Sequence, residues 1–242
     1  MKVAVYEGIR SIRLEDRPEP KAAPGEVIVK TKYCGICGTD LHRYLLGGPT
    51  GLVLGHEVVG TVAEIGDGVK GWKGGERVAI GPPGPCGECY CCRAGRPNKC
   101  IYARERTVGL SLGNPGGMAE YVRVRNPKNM LYQLPDNVPF EDGVLVDTIT
   151  VAIRGIRQSR FRLGDNAVVA GAGSIGHSLI EYLKIAGARH VTALEPSLAK
   201  RELALKFGAD VALDPISEGA ALQDKVLALY GGNPKLIDGI LI

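Results

Sequence analysis

A glycine-rich loop after an apolar strand constrains the second half of this 242-residue chain more than any other feature. The residues NAVVA at 166–170 run directly into GAGSIG, and the pattern predicts a helix over 174–186. In such a loop the first glycine permits a tight turn, the second lets the backbone approach a pyrophosphate, and the third lets helix and strand pack closely. Between a strand and a helix, this pattern favours a dinucleotide-binding loop over an ordinary glycine-rich turn. The residues expected to contact the cofactor are Gly171, Gly173, Ser174, Ile175 and Gly176.

An acidic residue at the end of the next strand bears on the choice of cofactor. Glu195 ends a predicted strand at 190–195 and lies 24 positions after Gly171. A carboxylate at this place can hold both ribose hydroxyls of NAD and would repel a 2′-phosphate, which favours NAD over NADP. Lys200 and Arg201 weaken that preference, because either could reach a phosphate. A merely solvated Glu195 is the alternative.

Strands and helices alternate after Pro139, which predicts a parallel sheet with helices on both faces. Predicted strands cover 166–170, 190–195, 210–213 and 236–242, and predicted helices cover 140–159, 174–186, 197–207 and 218–230. In the doubly wound dinucleotide fold the fourth strand lies beside the first, and two more strands follow. Because this chain ends on its fourth strand, we expect a truncated copy of a longer protein. A shortened but complete variant, or one whose open edge pairs in an oligomer, is the alternative.

The first 150 residues consist of short Val- and Ile-rich segments bounded by turn residues, which predicts strands at 1–6, 26–32, 57–65 and 77–80. The composition is ordinary for a globular protein, with 45% hydrophobic and 23% charged residues. The net charge of +4 includes no long basic run, so neither nucleic acid nor a membrane is an expected partner. With no signal-peptide pattern and no apolar stretch of roughly 18 residues, we expect a cytoplasmic protein with reduced cysteines.

Four of the seven cysteines have the spacing of a metal site. Cys86, Cys89, Cys92 and Cys100 are separated by two, two and seven residues. Three thiolates at that pitch, with a fourth after a short loop, can close a tetrahedron around a structural zinc ion. An iron–sulfur cluster and disulfides are the alternatives, and a reducing compartment disfavours the disulfides. Cys91 lies within this segment but does not share the spacing of the other four cysteines, so we expect it not to bind the metal.

A second group of possible ligands lies in CGICGTDLH, in GHE and in LVDTITVA. Cys37, His56 and Asp147 would form an open zinc site with a fourth position for water or substrate. Glu57 could bind the ion directly or support its ligands, and Asp40 could orient His56 through the other ring nitrogen. Taken singly, a buried cysteine, a hydrogen-bonded histidine and a helix-capping aspartate are all common without a metal.

With these motifs in place, the chain resembles the zinc-dependent medium-chain dehydrogenase/reductase family, which includes alcohol, polyol, threonine and sugar dehydrogenases. The matching segments stand in family order and cover nearly the whole chain: CGICGTDLH, LGHEVVG, VKGWKGGERVAI, the four-cysteine segment, GGMAEYV and GAGSIG. The resemblance implies an α/β plus β fold. A GroES-like, β-barrel-type catalytic domain would cover 1–150, and an incomplete Rossmann domain, a doubly wound parallel sheet, would cover 151–242, with the active site in the cleft between them.

The resemblance also implies a role for individual residues in catalysis. The third protein ligand of the catalytic zinc is Cys, Glu or Asp in different branches of the family. The matched positions are Cys37, His56, Glu57 and Asp147 for the catalytic zinc, Thr39 for the hydroxyl that hydrogen-bonds the substrate alcohol, and His42 for the outer end of the proton relay.

The implied function is a zinc-dependent oxidoreductase that transfers a hydride between an alcohol (a secondary alcohol, polyol or sugar) and NAD. Two zinc ions per chain are expected, and a homo-oligomer is expected for the full-length protein. The alternative is a truncated, catalytically incompetent zinc- and nucleotide-binding remnant, because the family's last Rossmann strands have no counterpart here. A zinc-free reductase of the same superfamily is disfavoured by the four-cysteine cluster and by the pair Cys37 and His56.

Overall fold

The chain divides into two units, Met1–Asp147 and Thr148–Ile242, near the beginning of one long helix. The computed structural model describes residues 1–231 and the backbone of residues 239–241. Within this described part, no helix is both long and apolar enough to cross a bilayer.

The first unit is built around two antiparallel β-sheets. Its strands are β1 (Lys2–Gly8), β2 (Ser11–Asp16), β3 (Val27–Gly35), β4 (Leu52–Val53), β5 (Glu57–Ile65), β6 (Arg77–Ile80), β7 (Tyr121–Val124) and β8 (Leu131–Gln133). One sheet has the order β2-β1-β4, and the other has the order β7-β3-β5-β6-β8. A bridge between Val3 and Ala119 links β1 to the segment that enters β7. The barrel-type domain predicted from the sequence is therefore built from two open sheets rather than one closed barrel.

The core of the five-stranded sheet explains why these segments form strands. β-Branched residues fit a pleated surface that is buried on one side. In the pairing of β3 with β5, Val29 lies opposite Val62, and both side chains are fully or nearly fully buried. The buried apolar side chains of this core are Val27, Val29, Val58, Val62, Val78, Ile80, Val108, Val122, Val124, Met130 and Leu131.

Short helices connect the strands of the first unit. They are α1 (Gly38–Leu46), α2 (Tyr90–Arg93), α3 (Ala103–Arg106), α4 (Pro127–Met130) and α5 (Phe140–Gly143), with one 3₁₀ turn at Pro97–Lys99. The longer helix α6 (Val146–Gln158) leads from the first unit into the second.

The second unit contains the predicted parallel sheet. Its elements are β9 (Asn166–Ala170), α7 (Ser174–Ile185), β10 (His190–Leu194), α8 (Leu198–Lys206), β11 (Val211–Leu213), α9 (Pro215–Glu218), α10 (Leu222–Leu229) and β12 (Gly239–Leu241). The strand order is β11-β10-β9-β12, and every neighbouring pair is parallel. The first and fourth strands of the unit are thus neighbours, as expected for a doubly wound fold.

The predicted elements differ from the observed ones in two ways: β2, β4, β7, β8 and the short helices α1 to α4 were not predicted, and several helix boundaries differ. The predicted helix at 140–159 is two helices, α5 and α6. The predicted helix at 218–230 is interrupted by a 3₁₀ turn at Gly219–Ala221, where Gly219 has a φ of +50° that a continuous right-handed helix cannot contain. Of the predicted strand at 236–242, positions 239–241 form β12, and the remaining positions lie outside the described residues.

Candidate functional site

The four cysteines predicted to bind structural zinc converge in the segment that follows β6. Cys86 lies in the loop after that strand, Cys89 precedes α2, Cys92 lies within α2, and Cys100 follows the 3₁₀ turn. All four sulfur atoms lie within 4.8 Å of one another, and 3.9 Å separates Cys86 Sγ from Cys92 Sγ. Sulfur atoms at the corners of a tetrahedron around zinc, each about 2.3 Å from the ion, stand about 3.8 Å apart. The cluster therefore has the size of a closed four-thiolate zinc site.

Backbone N–H groups point at these sulfur atoms and favour their thiolate forms. The Cys89 N–H donates to Cys86 Sγ (3.2 Å), and the Cys86 N–H donates to Cys100 Sγ (3.3 Å). The bond from Cys89 is the largest of the influences that lower the pKa of Cys86. The N–H groups of Cys92 and Ile101 lower the pKa of Cys89 to about 6. A loop that stabilises negative sulfur in this way is suited to hold a cation.

Cys92 and Cys91 are neighbours in sequence and differ in placement. Burial raises the pKa of the Cys92 thiol to about 12, so this thiol stays protonated when no cation is present. Coordination to zinc deprotonates a thiol outright. Cys91 lies outside the cluster of four sulfur atoms.

The second predicted site brings Cys37, His56 and Glu57 together at one end of β5. One ligand atom from each residue lies within 4.8 Å of the other two. Cys37 is the residue immediately before α1, and Glu57 is the first residue of β5. His56 and Glu57 are buried, with 5% and 9% of their surfaces exposed. One sulfur, one imidazole and one carboxylate form a donor set typical of open zinc sites, so these residues fit a catalytic zinc ion.

The carboxylate of Asp40, which is only 2% exposed, connects the parts of this cluster. Its Oδ2 accepts the Cys37 N–H (3.0 Å), and its Oδ1 accepts the Gly55 N–H (3.5 Å). Oδ1 also lies 3.8 Å from His56 Nδ1, within ion-pair range but beyond hydrogen-bond distance. Nδ1 is buried and has no hydrogen-bond partner among the described residues. A metal-bound histidine usually donates its other ring N–H to a carboxylate, and Asp40 stands where that acceptor is needed.

Gly35 holds Glu57 in place by the absence of a side chain, a feature that the sequence alone did not reveal. The two residues are paired across β3 and β5. A Cβ atom at position 35 would lie 2.2 Å from Glu57 Oε2 and 3.0 Å from Glu57 Cβ. The Glu57 carboxylate can therefore keep its position only beside glycine. Gly35 could have been found from its place in CGICG, directly before the Cys37 segment.

Asp147 lies in the first turn of α6 and outside the cluster of Cys37, His56 and Glu57. Burial raises the pKa of its carboxyl, and the charge of His56 acts in the opposite direction. Asp147 is therefore near enough to His56 to interact electrostatically. Glu57, which the sequence predicted either to bind the ion directly or to support its ligands, occupies the third place in the cluster, and Asp147 does not.

Thr39 and His42, the residues matched to substrate contact and proton relay, both lie on α1 and are exposed. Thr39 Oγ1 is 3.8 Å from Cys37 Sγ, so the hydroxyl stands directly beside the cluster. His42 is three residues further along the helix, on a neighbouring part of its surface.

The glycine loop between β9 and α7 has the backbone that its sequence predicted. Gly171 has a φ of +90°, in the left-handed region that favours glycine. Gly173 precedes the first residue of α7, and no side chain caps that helix end. A Cβ atom at Gly176 would lie 1.9 Å from the Gly171 carbonyl oxygen. The third glycine is therefore required for the close packing of helix against strand, while Gly171 and Gly173 have open space beside them for a ligand.

Glu195 lies just after β10 and is 6% exposed. Its Oε2 accepts the Ala172 N–H (2.9 Å), and its Oε1 accepts the Ser197 N–H (2.9 Å). Burial acts to raise the pKa of Glu195, but these two N–H groups together with the charges of Lys200 and Arg201 outweigh it, and the pKa is lowered overall. The carboxylate therefore stays charged and braces the glycine loop. Arg201 donates to the Glu195 carbonyl oxygen (2.7 Å), which holds its guanidinium beside this strand end.

Substitution at Cys89 is expected to open the four-cysteine cluster. Cys89→Ser removes one sulfur ligand, and even about 3 kcal/mol of lost metal binding lowers Tm by roughly 6–12 °C in a chain of this size. Calorimetry and elemental zinc analysis measure the two effects. Cys91→Ser is the matched control, because Cys91 lies beside the cluster without joining it. Equal Tm and zinc content in the two variants would contradict the assignment.

Gly35→Ala is expected to displace the Glu57 carboxylate and weaken metal binding at the second cluster by about 10–100-fold, the cost typical of disturbing the residues that support metal ligands. Chelator competition on the purified variant measures the change. Gly38→Ala is the control, because a Cβ there meets nothing within 4 Å. If both variants bind zinc with wild-type affinity, Glu57 does not contribute to the site.

Two protein-family models match this chain. Residues 23–136 match the model of the alcohol dehydrogenase GroES-like domain, and residues 174–238 match that of zinc-binding dehydrogenases. The chain is 38% identical over 232 residues to (R,R)-butanediol dehydrogenase of Bacillus subtilis, covering 89% of this chain and 63% of that protein. It is 34% identical over 258 residues to a protein called probable D-xylulose reductase A of Aspergillus clavatus, covering 98% of this chain and 70% of that protein.

Solved structures show the same architecture. Alcohol dehydrogenase TADH from Thermus sp. ATN1 has a TM-score of 0.88 at 29% identity, over 96% of this chain and 68% of that one. An alcohol dehydrogenase from E. coli CFT073, in complex with NADH, has a TM-score of 0.84 at 31% identity, over 96% of this chain and 66% of that one. A zinc-binding dehydrogenase from Sinorhizobium meliloti 1021, bound to NADP, has a TM-score of 0.81 at 30% identity, over 92% of this chain and 64% of that one.

These comparisons support zinc and a nicotinamide cofactor and confirm the combination of a GroES-like and a Rossmann-like domain. The chain spans 63% of the length of the butanediol dehydrogenase that it matches. With two family models in the expected order and a relative 34% identical over 70% of its length, the chain belongs to the zinc-dependent medium-chain dehydrogenase family.

Proposed function

We propose that this chain carries the zinc-binding and nucleotide-binding parts of an oxidoreductase that moves a hydride between an alcohol and NAD. The observation that carries this proposal is the cluster of Cys37, His56 and Glu57, with the buried carboxylate of Asp40 beside it. A structural site alone has no need of a mixed donor set with an open position. The four-cysteine cluster supplies the separate structural site.

In this proposal Cys37, His56 and Glu57 hold the catalytic zinc, and Asp147 is the alternative carboxylate. When bound, the ion supplies a Lewis acid that polarises the alcohol oxygen. Asp40 fixes the positions of Cys37 and His56 relative to each other through the contacts described above. Its negative charge also favours the imidazole orientation in which Nδ1–H faces Asp40 and the other ring nitrogen is free to bind.

Proton transfer is assigned to α1. The Thr39 hydroxyl, beside Cys37 Sγ, takes the proton of the substrate alcohol in a hydrogen bond. His42, exposed and three residues further along the same helix, would exchange the proton with solvent. A histidine is suited to this place because one nitrogen of a neutral imidazole accepts a proton while the other donates one.

The glycine loop and the N-terminus of α7 are assigned to the pyrophosphate, and Glu195 to the adenosine ribose. The free N–H groups and positive dipole end of a helix of this length attract phosphate. Glu195 stays charged and disfavours a 2′-phosphate, which is the reason to prefer NAD over NADP. Each of its oxygens has a further lone pair beyond the backbone N–H that it accepts.

The proposed substrate is a secondary alcohol, a polyol or a sugar. Relatives with similar sequences are named for butanediol, xylulose and sorbitol. An acidic third zinc ligand in place of a cysteine favours the same classes of substrate. We assign catalysis to a domain at 1–150 and NAD binding to 151–242. Cytoplasmic localisation and homo-oligomerisation of the full-length protein stay predictions.

The test measures NADH formation by the purified, zinc-loaded chain with 2,3-butanediol, sorbitol and xylitol. The proposal predicts diol- or polyol-dependent reduction of NAD, faster than that of NADP. Cys37→Ala should abolish it, because removal of a ligand empties the catalytic position, while circular dichroism shows the fold intact. Cys91→Ser should retain the activity.

Two outcomes would contradict the proposal. NAD binding without alcohol-dependent reduction, measured by NADH fluorescence on the same preparation, would favour the non-catalytic remnant. Wild-type turnover by Cys37→Ala would remove that residue from the mechanism.

A further inference from the structure

A cavity of about 250 Å³ lies in the first unit, next to the segment that enters the four-cysteine cluster. It is lined by Gly84, Arg106, Asn114, Arg125, Asn126 and Met130. None of these six residues is acidic. Sites for drug-sized ligands measure roughly 300–1,000 Å³, so this cavity is suited to something smaller.

Two arginines are among the lining residues, and few carboxylates of the described residues stand near their charges. The Arg106 guanidinium has no carboxylate within ion-pair distance among the described residues, and its charged contact there is with the Tyr102 ring, 5.7 Å away. Arg125 Nε lies 3.9 Å from Glu26 Oε1, a long ion pair that Glu26 shares with Arg123. Two cations lining one cavity repel each other, and an anion between them removes that repulsion.

The two asparagines supply further donors. Asn114 is 4% exposed, and its Nδ2 donates to the Arg106 carbonyl oxygen (2.6 Å). The Asn126 Nδ2 donates to the Pro85 carbonyl oxygen (2.7 Å), and its Oδ1 accepts from Asn129 (3.2 Å). A carboxamide nitrogen carries two hydrogens, so each of these side chains keeps one N–H for another acceptor. The lining is therefore rich in donors.

We propose that this cavity binds a tetrahedral oxyanion, either inorganic phosphate or the phosphate group of a small ester. Arginine guanidinium groups bind phosphate through paired, charge-assisted hydrogen bonds, and the carboxamides complete the donor set. This site is separate from the zinc clusters and from the glycine loop, and it does not depend on the function proposed above.

The position of the cavity predicts a consequence for the structural zinc. Asn126 holds the carbonyl of Pro85, the residue directly before Cys86. Gly84 packs so closely on Arg106 that a Cβ there would lie 2.7 Å from the Arg106 carbonyl oxygen. An anion that ties Arg106, Arg125 and Asn126 together therefore restrains the start of the four-cysteine segment. We expect phosphate to slow the loss of zinc from that cluster.

The experiment uses the zinc-loaded full chain in chloride buffer, with inorganic phosphate added at constant ionic strength. Isothermal titration calorimetry measures binding, and a chromogenic chelator measures the rate of zinc release. If zinc leaves only from the anion-free form, phosphate at ten times its dissociation constant slows that release by about tenfold. Glycerol 3-phosphate in a parallel titration distinguishes the two sources, since a site for ester phosphate binds it at least as tightly as inorganic phosphate.

Variants identify the residues responsible. Arg106 lies in α3 and Arg125 directly follows β7, and Arg106→Gln and Arg125→Gln should each abolish the effect of phosphate on zinc release. Arg104→Gln is the matched control, because Arg104 is exposed on the same helix as Arg106 and does not line the cavity. Absence of phosphate binding by the wild type would overturn the proposal. An equal response in Arg104→Gln and Arg106→Gln would also overturn it, because it would show nonspecific attraction to a basic surface.

Discussion

The cluster of Cys37, His56 and Glu57 depends on the interactions of the buried Asp40 carboxylate. It accepts the N–H groups of Cys37 and Gly55 and lies 3.8 Å from His56 Nδ1. Two parts of the chain, the start of α1 and the two residues before β5, are thereby held around one carboxylate. A buried carboxylate is costly unless hydrogen-bonded, so this arrangement is stable only while its partners stay in place.

Close approach of backbone and side chain at glycine is the second constraint, and it recurs at both predicted binding regions. Glu57 fits beside Gly35 only because that residue lacks a Cβ, and Gly176 lets the helix begin against the carbonyl of Gly171. At the four-cysteine cluster the backbone contributes in another way, by turning N–H groups toward sulfur. In each case the backbone fixes where the groups that would bind zinc or the cofactor lie.

The sequence predicted most successfully the features that depend on local pattern. The strands at Glu57–Ile65, Arg77–Ile80 and Asn166–Ala170 were predicted with the observed bounds, because β-branched runs bounded by glycine or polar residues encode them. The spacing of the four cysteines likewise predicted that their sulfur atoms lie close together.

Features set by tertiary packing were harder to predict. Successive side chains of a strand point to opposite faces, so His56 and Glu57 reach one cluster only because β5 begins at Glu57. The place of Asp147 outside that cluster, and the two N–H groups on Glu195, also depend on packing between distant segments.

We infer that the first unit holds two metal sites of different kinds, one closed by four thiolates and one open. Elemental analysis of zinc on the purified, chelator-washed chain distinguishes one occupied site from two. We expect about two zinc ions per chain. A value of about one would mean that only the four-cysteine cluster retains metal. That result would contradict the claim that Asp40 holds Cys37 and His56 in a zinc-binding arrangement.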